Sequence, residues 1–262
     1  TAYYTRTTWI PKEWEGRRLF LRFGGVQSVA NLFINGQHIG EHRGGFTAFT
    51  FEITDAINFG QQNYMRVAVS NDMRSDVLPV SSNTDMCGGI YRDVELLVTP
   101  QCAISPLYYS SDGVLVEQQV ANEQRASGVV HVYLSTPEDH HIVNMRIIAP
   151  DGYEVNYRTV KATKINAERS INFTYEINQP ELWSPTKPTL YTVEVSIGDV
   201  DDPIDVVRIK TGFRSITISD DNKLCINGKP IAIHGVNMAH DRLNSATAIT
   251  DADIDSDLAI VE

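Results

Sequence analysis

Short apolar stretches separated by turn residues constrain the fold of this chain more than any other feature. In the first hundred residues they predict six strands, at 3–10, 18–23, 30–34, 46–51, 64–70 and 92–98. Residues 66–70 alternate so that every second side chain can face a core. Asn35-Gly36 stands between two apolar stretches, and this dipeptide is a strong signal for a two-residue hairpin. The pattern favours an antiparallel sandwich or jelly roll over residues 1–99.

A second series of strands follows Thr99-Pro100, where we place the first domain boundary. Seven strands are predicted, at 114–119, 128–135, 144–149, 154–161, 169–177, 190–197 and 204–210. Short strands at regular intervals are typical of an immunoglobulin-like sandwich. The turn Pro150-Asp151-Gly152 suits a hairpin, whereas three prolines between 180 and 188 predict an irregular connection.

Composition excludes several classes of function. The 262 residues carry a formal net charge of −11, and such a field repels nucleic acid. No apolar run approaches the roughly 20 residues that span a bilayer, so we expect no membrane segment. Cys87, Cys102 and Cys225 cannot form a fully paired disulfide framework and lack the spacing of a zinc site. The histidines have no partners at metal-ligand spacing, so we predict neither a metal nor a cofactor.

The last residues predict the start of a helix. Thr250 suits an N-cap, and aspartates at 251, 253 and 255 place negative charge where the helix dipole stabilises it. An apolar stripe at three- and four-residue spacing is formed by Ile254, Leu258 and Val261. No stop signal follows, and no later sequence remains to cover the stripe. We therefore expect that the chain is cut within this helix.

Four stretches, taken together, resemble glycoside hydrolase family 2, the family of β-galactosidases, β-glucuronidases and β-mannosidases. They are 18–46 with Gly24-Gly25-Val26, 88–94 with Gly88-Gly89-Ile90-Tyr91-Arg92-Asp93-Val94, 183–191 with Trp183-Ser184-Pro185, and 212–241 with Gly212-Phe213-Arg214 and His234-Gly235-Val236-Asn237. The resemblance implies a mainly β chain in three parts. A jelly-roll sugar-binding domain would cover 1–99 and an immunoglobulin-like sandwich 100–211. Residues 212–262 would begin a truncated (β/α)8 catalytic barrel.

What this resemblance implies about function is a retaining exo-glycosidase that hydrolyses terminal β-D-glycosides. The chain is most similar to bacterial β-galactosidases, with β-glucuronidase and β-mannosidase as alternatives. Two glutamates would perform the chemistry, and both would lie beyond Glu262. We therefore assign no catalytic residue here and expect this polypeptide alone to be inactive. The partner would be a carbohydrate, and the full-length enzyme could form a homo-oligomer. A stand-alone carbohydrate-binding module and a structural adhesion pair of sandwiches are the rival interpretations.

The loop before Gly88 is one place where the resemblance implies contact with substrate. In the family an acidic side chain of this loop contacts sugar hydroxyls. Asn83 aligns most directly, and Asp85 follows two residues later. Either side chain can bond a hydroxyl, although the bond of Asp85 would be charge-assisted. A solvated turn is the alternative for both residues.

The end of the first barrel strand is the second such place, because barrel enzymes carry their chemistry there. The resemblance makes 234–237 that strand, so Asn237, His240, Asp241 and Arg242 become candidate substrate-binding residues. The family commonly has a histidine two residues after this asparagine, but this chain has Ala239 there. His240 is shifted by one residue and could point the opposite way. A surface ion pair between Asp241 and Arg242 is the alternative to a substrate contact.

Overall fold

The computed structural model of the chain describes residues 1–78, 87–135, 141–162, 170–238 and 241–261. The chain divides into two compact units, residues 1–99 with 235–262 and residues 100–234. Both units are built mainly from antiparallel strands. The mainly β fold predicted from the alternating pattern is therefore confirmed.

The described residues of the first unit form nine strands and two main sheets. One sheet has the strand order β1-β7-β4-β5, a second has the order β6-β2-β9, and β3 pairs with β8. The strands are β1 (Ala2–Ile10), β2 (Arg18–Phe23), β3 (Val26–Gln27), β4 (Val29–Ile34), β5 (Gln37–Arg43), β6 (Phe49–Glu52), β7 (Gln61–Ser70), β8 (Gly89–Ile90) and β9 (Val94–Thr99). Alternate residues of β7 are buried, as Met65, Val67 and Val69 show. They join the buried side chains of β2 and β4 in one core.

The Asn35-Gly36 hairpin predicted from the sequence is confirmed. Asn35 has a φ of 51° and Gly36 a φ of 85°, which is the left-handed pair that a two-residue hairpin requires. The turn joins β4 to β5. We did not predict β5, because its polar sequence QHIGEHR gives little apolar alternation and it lies at the edge of its sheet. The strand predicted at 46–51 begins later, at Phe49.

The described residues of the second unit include two four-stranded sheets. In one, β12 pairs with β11, with β15 and, through its last residues, with β10; the other has the order β14-β13-β16-β17. The strands are β10 (Ala103–Ile104), β11 (Val114–Ala121), β12 (Arg125–Ser135), β13 (Ile142–Ile148), β14 (Glu154–Lys161), β15 (Ser170–Asn178), β16 (Tyr191–Gly198) and β17 (Pro203–Thr211). All seven predicted strands are present, and residues 149–153 turn between β13 and β14 as expected.

Residues 212–230 belong to the same second unit. They contain a small sheet of β18 (Ile216–Ile218), β19 (Leu224–Ile226) and β20 (Lys229–Pro230). The side chain of Asn227 donates to the Trp183 carbonyl over 3.0 Å and accepts from the Ser215 N–H over 3.0 Å. Arg214 lies over the Trp183 ring at 4.9 Å. Residues 183, 214, 215 and 227 are thus held together by side-chain contacts.

The strand predicted at 234–237 is wrong. Residues 231–238 form no β ladder, and Asn237 is exposed. A strand needs a neighbour to receive its backbone hydrogen bonds. No other segment of the described residues pairs with this one.

The helix predicted at the end of the chain is confirmed as α1 (Asp251–Val261). Its apolar stripe stays uncovered within the described residues, since Leu258 is 49% exposed and Val261 is 52% exposed. Nowhere in the described part of the chain does a helix have the length and apolar character needed to cross a membrane.

Candidate functional site

A surface depression in the first unit brings together two segments that are far apart in sequence. It has a volume of about 670 Å³ and is lined by Cys87 and by residues 241–246. Cys87 lies two residues after Asp85, and the second segment includes Asp241 and Arg242. The two regions singled out from the sequence therefore border one depression, which we call the Cys87 depression.

Two backbone hydrogen bonds join the first and last residues of the turn at 242–246. The Arg242 N–H donates to the Ala246 carbonyl over 3.0 Å, and the Ala246 N–H donates to the Arg242 carbonyl over 2.9 Å. Asn244 and Ala246 have φ values of 79° and 48°, in the left-handed region that lets the chain turn back. Leu243 is 91% exposed at the tip of this turn. The backbone groups of Arg242 and Ala246 thus bond to each other, and the Leu243 side chain points to solvent.

Arg242 points to helix α1 and not to Asp241. Its Nη2 donates to the Asp253 carbonyl over 2.8 Å and also to Asp257, while Nη1 lies 3.4 Å from the Asp253 carboxylate. The two aspartates are four residues apart, so they lie on one face of the helix. The Asp241–Arg242 ion pair considered from the sequence is absent, because the two helix carboxylates take up the guanidinium.

Thr250 and Asp253 cap the helix reciprocally. The Thr250 N–H and hydroxyl donate to Asp253 Oδ2 over 2.9 and 2.7 Å, and the Asp253 N–H donates back to Thr250 Oγ1 over 3.3 Å. These hydrogen bonds lower the pKa of Asp253. The cap therefore contributes fully above pH 3.8, the ordinary value of the carboxyl, and is lost as the pH falls through the lower value of the folded state. The capping role predicted for Thr250 is confirmed.

The segment that follows Cys87 is held by close contacts between glycines and polar side chains. A Cβ on Gly88 would lie 2.6 Å from the Asn71 side chain, and a Cβ on Gly25 would lie 2.7 Å from the Tyr91 ring. The Tyr91 hydroxyl donates to the Gly45 carbonyl over 2.6 Å. Glycine is required at these positions because the backbone is approached directly. These contacts hold residues 88–91 beside Cys87.

The other predicted site residues are distributed as follows. Asn237 does not line the Cys87 depression. Asn83, Asp85 and His240 lie outside the described residues, so the structure is silent on them. Sequence reasoning missed Asp257 as the partner of Arg242, although its spacing from Asp253 was a usable signal. No group of three or more His, Cys, Asp or Glu side chains that could hold a metal ion occurs in the described ranges.

The Arg242 bridge leads to a testable prediction. Replacing Arg242 with methionine keeps the length of the side chain but removes both ion pairs. We expect the amides of 251–261 to exchange with solvent about three- to tenfold faster in hydrogen-exchange mass spectrometry, because the helix loses its anchor to the 242–246 turn. Asp255→Asn is the matched control, since Asp255 makes no side-chain bond within the described residues. Equal exchange in wild type and Arg242→Met would contradict the anchoring role.

Family models match a large part of each of the two units. Residues 1–100 match the profile "Glycosyl hydrolases family 2, sugar binding domain", and residues 112–214 match "Glycosyl hydrolases family 2". A β-glucuronidase of Bacteroides fragilis is 36% identical over 98% of this chain and 38% of its own length. A β-galactosidase of Thermoanaerobacter pseudethanolicus is 28% identical over 90% of this chain and 31% of its own length.

Solved structures agree with these sequence matches. The crystal structure of a putative β-galactosidase from Bacteroides fragilis superimposes with a TM-score of 0.91 at 30% identity, over 99% of this chain and 39% of that one. A Bacteroides uniformis β-glucuronidase gives a TM-score of 0.88 at 28% identity, over 99% and 32%. The chain thus spans 31% to 39% of the length of these four proteins. By its two matched domains and by its similarity to these enzymes over nearly all of its length, the chain belongs to glycosyl hydrolases family 2.

Proposed function

We propose that the chain is the non-catalytic N-terminal part of a retaining exo-glycosidase that acts on terminal β-D-glycosides. The observation that carries this proposal is the match of 98% of the chain to only 38% of a β-glucuronidase. Residues 1–99 would be the jelly-roll sugar-binding domain, 100–211 the immunoglobulin-like domain, and 212–262 the entry to a catalytic barrel.

The chemistry requires two carboxyl groups about 5 to 5.5 Å apart on either side of the glycosidic bond. One protonates the leaving oxygen, and the other attacks the anomeric carbon to form a covalent intermediate that water then hydrolyses. We propose that later barrel strands supply both glutamates. The present chain would contribute only binding and positioning.

Asp241 is the side chain of the Cys87 depression that we propose as a sugar contact. It has no ion pair among the described residues, so its carboxylate is free to accept a hydrogen bond from a sugar hydroxyl. Asn83 or Asp85 would approach the same sugar from the side of Cys87, with Asn237 and His240 nearby in sequence. The charge of Arg242 is already paired with Asp253 and Asp257. Arg242 would therefore hold the turn in place by attaching it to α1.

Two classes of substrate are candidates, β-glucuronides and β-galactosides. The 36% identity with a β-glucuronidase against 28% with a β-galactosidase favours a β-glucuronide. A β-galactoside is the second candidate, favoured by the superposition with a putative β-galactosidase at a TM-score of 0.91. Among the described residues that line the depression, Arg242 is the one Lys or Arg, and it is paired. A cationic group that binds a uronate carboxylate would therefore come from elsewhere in the protein.

The test compares two polypeptides on two substrates. The 262-residue chain should release no nitrophenol from nitrophenyl β-D-glucuronide or β-D-galactoside, because we propose that both catalytic glutamates lie outside it. A polypeptide extended to the length of the relatives should cleave one of them, and Asp241→Ala in it should raise KM about tenfold through loss of a charge-assisted bond. Ser245→Ala, on the same turn, is the matched control. Turnover by the short chain would overturn the proposal.

A further inference from the structure

Ion pairs fasten the segment that follows β7, residues 71–78, to the edge of its sheet. Arg43, the last residue of the edge strand β5, donates from Nη1 to Asp76 Oδ2 over 2.5 Å. Arg74 donates to the same carboxylate, from Nε to Oδ1 over 2.9 Å and from Nη2 to Oδ2 over 3.3 Å. Asp76 is thus held between one guanidinium of the sheet and one of its own segment. We call Arg43, Arg74 and Asp76 the Asp76 clamp.

The sheet side of the Asp76 clamp is itself anchored. Arg43 Nε donates to Glu41 Oε1 over 2.7 Å, and the Asn31 amide donates to Glu41 Oε2 over 3.0 Å. Glu41 and Arg43 are two residues apart on β5, so their side chains share a face, and Asn31 lies opposite Glu41 on β4. Arg43 therefore bonds two carboxylates through different N–H groups of one planar guanidinium, which fixes its orientation.

Charge and burial act together at the clamp. The Arg43 side chain is 47% exposed and that of Asp76 is 45% exposed, and a single ion pair with this exposure contributes little to stability. Here three charge-assisted hydrogen bonds meet on one carboxylate. Val77, the next residue, is 6% exposed, so the segment also buries apolar surface. These contacts together hold the segment on the sheet edge.

Asp76 stays ionised at neutral pH. Its hydrogen bonds, first with Arg74 and then with Arg43, lower the pKa of the carboxyl to about 2. The contribution of the clamp is therefore full above the ordinary value of 3.8 and is lost as the pH falls through about 2. Because ordinary assay conditions lie above both values, added salt is the practical way to weaken the clamp.

The first residue of the segment touches the Cys87 side of the depression. A Cβ on Gly88 would lie 2.6 Å from the side chain of Asn71. Asn71 therefore packs directly against the backbone of the residue next to Cys87. A movement of the segment away from the sheet edge would disturb this contact.

We propose that Arg43 is a positioning residue for the Cys87 depression. It binds Asp76, fixes the segment on the sheet edge and so keeps Asn71 packed against Gly88. Among the described residues, Arg43 does not itself line the depression, so it acts through the segment. The consequence for substrate rests on the proposed function. A displaced wall weakens the binding of a sugar and raises KM, whereas kcat depends on glutamates supplied from elsewhere.

The 262-residue chain tests the clamp without any enzymatic activity. Trypsin cleaves after Arg74, and mass spectrometry of the fragments follows this one bond. Arg43→Met removes both carboxylate contacts at similar side-chain length. It should speed cleavage after Arg74 about three- to tenfold, because the protease needs the segment to leave the sheet edge. Added salt should bring the ratio of the variant rate to the wild-type rate closer to one.

Hydrogen-exchange mass spectrometry of the same chains measures whether the effect reaches the depression. The amides of 88–91 should exchange about threefold faster in Arg43→Met. Arg125→Met is the matched control for both measurements, because Arg125 is 49% exposed and pairs with Glu176 in the other unit. Wild-type rates of both cleavage and exchange in Arg43→Met would rule out the positioning role. Circular dichroism would establish that each variant is folded.

A polypeptide extended to the length of the relatives tests the consequence for substrate. Arg43→Met should raise KM for the nitrophenyl glycoside that it cleaves about three- to fivefold and leave kcat within about twofold. Arg43→Lys keeps the charge and should recover part of the loss. An unchanged KM in Arg43→Met would refute the role in positioning the depression, even if the segment loosens. If the wild-type polypeptide cleaved neither glycoside, the proposed function would fail instead, and the short chain would still decide whether Arg43 holds the wall.

Discussion

Replacement of Phe213 with alanine is expected to lower the free energy of unfolding of the second unit by about 3 to 5 kcal/mol. Phe213 is 1% exposed, and its ring centre lies 4.9 Å from that of Tyr191 and 5.7 Å from that of Tyr175. The residue belongs to a core that includes twenty buried side chains among the described residues. Alanine would remove the ring and leave a cavity that two strand-bound tyrosines cannot move to fill.

Urea denaturation followed by pulse hydrogen exchange would measure this effect for each unit separately. The separation is necessary because two units need not unfold in one transition. Phe46→Ala is the matched control, since Phe46 is 50% exposed in the first unit. A loss below about 1 kcal/mol for Phe213→Ala would contradict the assignment of Phe213 as a core residue, because it is typical of surface substitutions.

Replacement of Asn63 with alanine should destabilise the first unit by about 2 to 4 kcal/mol, because three backbone groups and the Asn35 amide would lose a partner. Asn63 is fully buried. Its oxygen accepts from the Asn58 N–H over 2.7 Å and from the Asn35 amide over 2.8 Å, and its amide donates to the carbonyls of Asn58 and Gln61 over 2.9 and 3.1 Å. These bonds attach the β4–β5 hairpin to the loop before β7.

Asn58→Ala is the control for this second variant. Asn58 is exposed and enters the network through its backbone, so its side chain is dispensable. Thermal denaturation monitored by circular dichroism should place Asn58→Ala near wild type and Asn63→Ala several degrees lower. Equal melting temperatures for the two variants would show that the side chain of Asn63 does not hold the hairpin.

Features that depend on neighbouring residues were predictable. Asn35-Gly36 specifies its turn because both residues tolerate a positive φ, and Thr250 specifies a helix start because its hydroxyl reaches the N–H of Asp253 three residues on. The strands follow from alternation within single segments. The family assignment rested on the order of motifs, and the matched profiles confirm it.

Features that depend on distant residues were not predictable. Arg242 was considered with its neighbour Asp241, yet its partners come from the next helix. The strand at 234–237 was inferred from resemblance, but a segment becomes a strand only when another lies beside it. Cys87 and residues 241–246 border one depression although more than 150 residues separate them, and no local pattern signals that proximity.

Strand β1 depends both on its local sequence and on its pairing with a distant strand. Its sequence AYYTRTTWI favours a strand because it is rich in threonine and aromatic residues, and side chains two apart share a face in any extended segment. It did not determine which face would be covered, since aromatic residues occur on both. Pairing with β7 over the register Ala2↔Val69 to Ile10↔Gln61 turned Ile10 into the core and left Tyr3 and Trp9 in solvent. Local periodicity sets the strands of this protein, whereas long-range pairing decides which side chains form its core and which stay exposed to solvent.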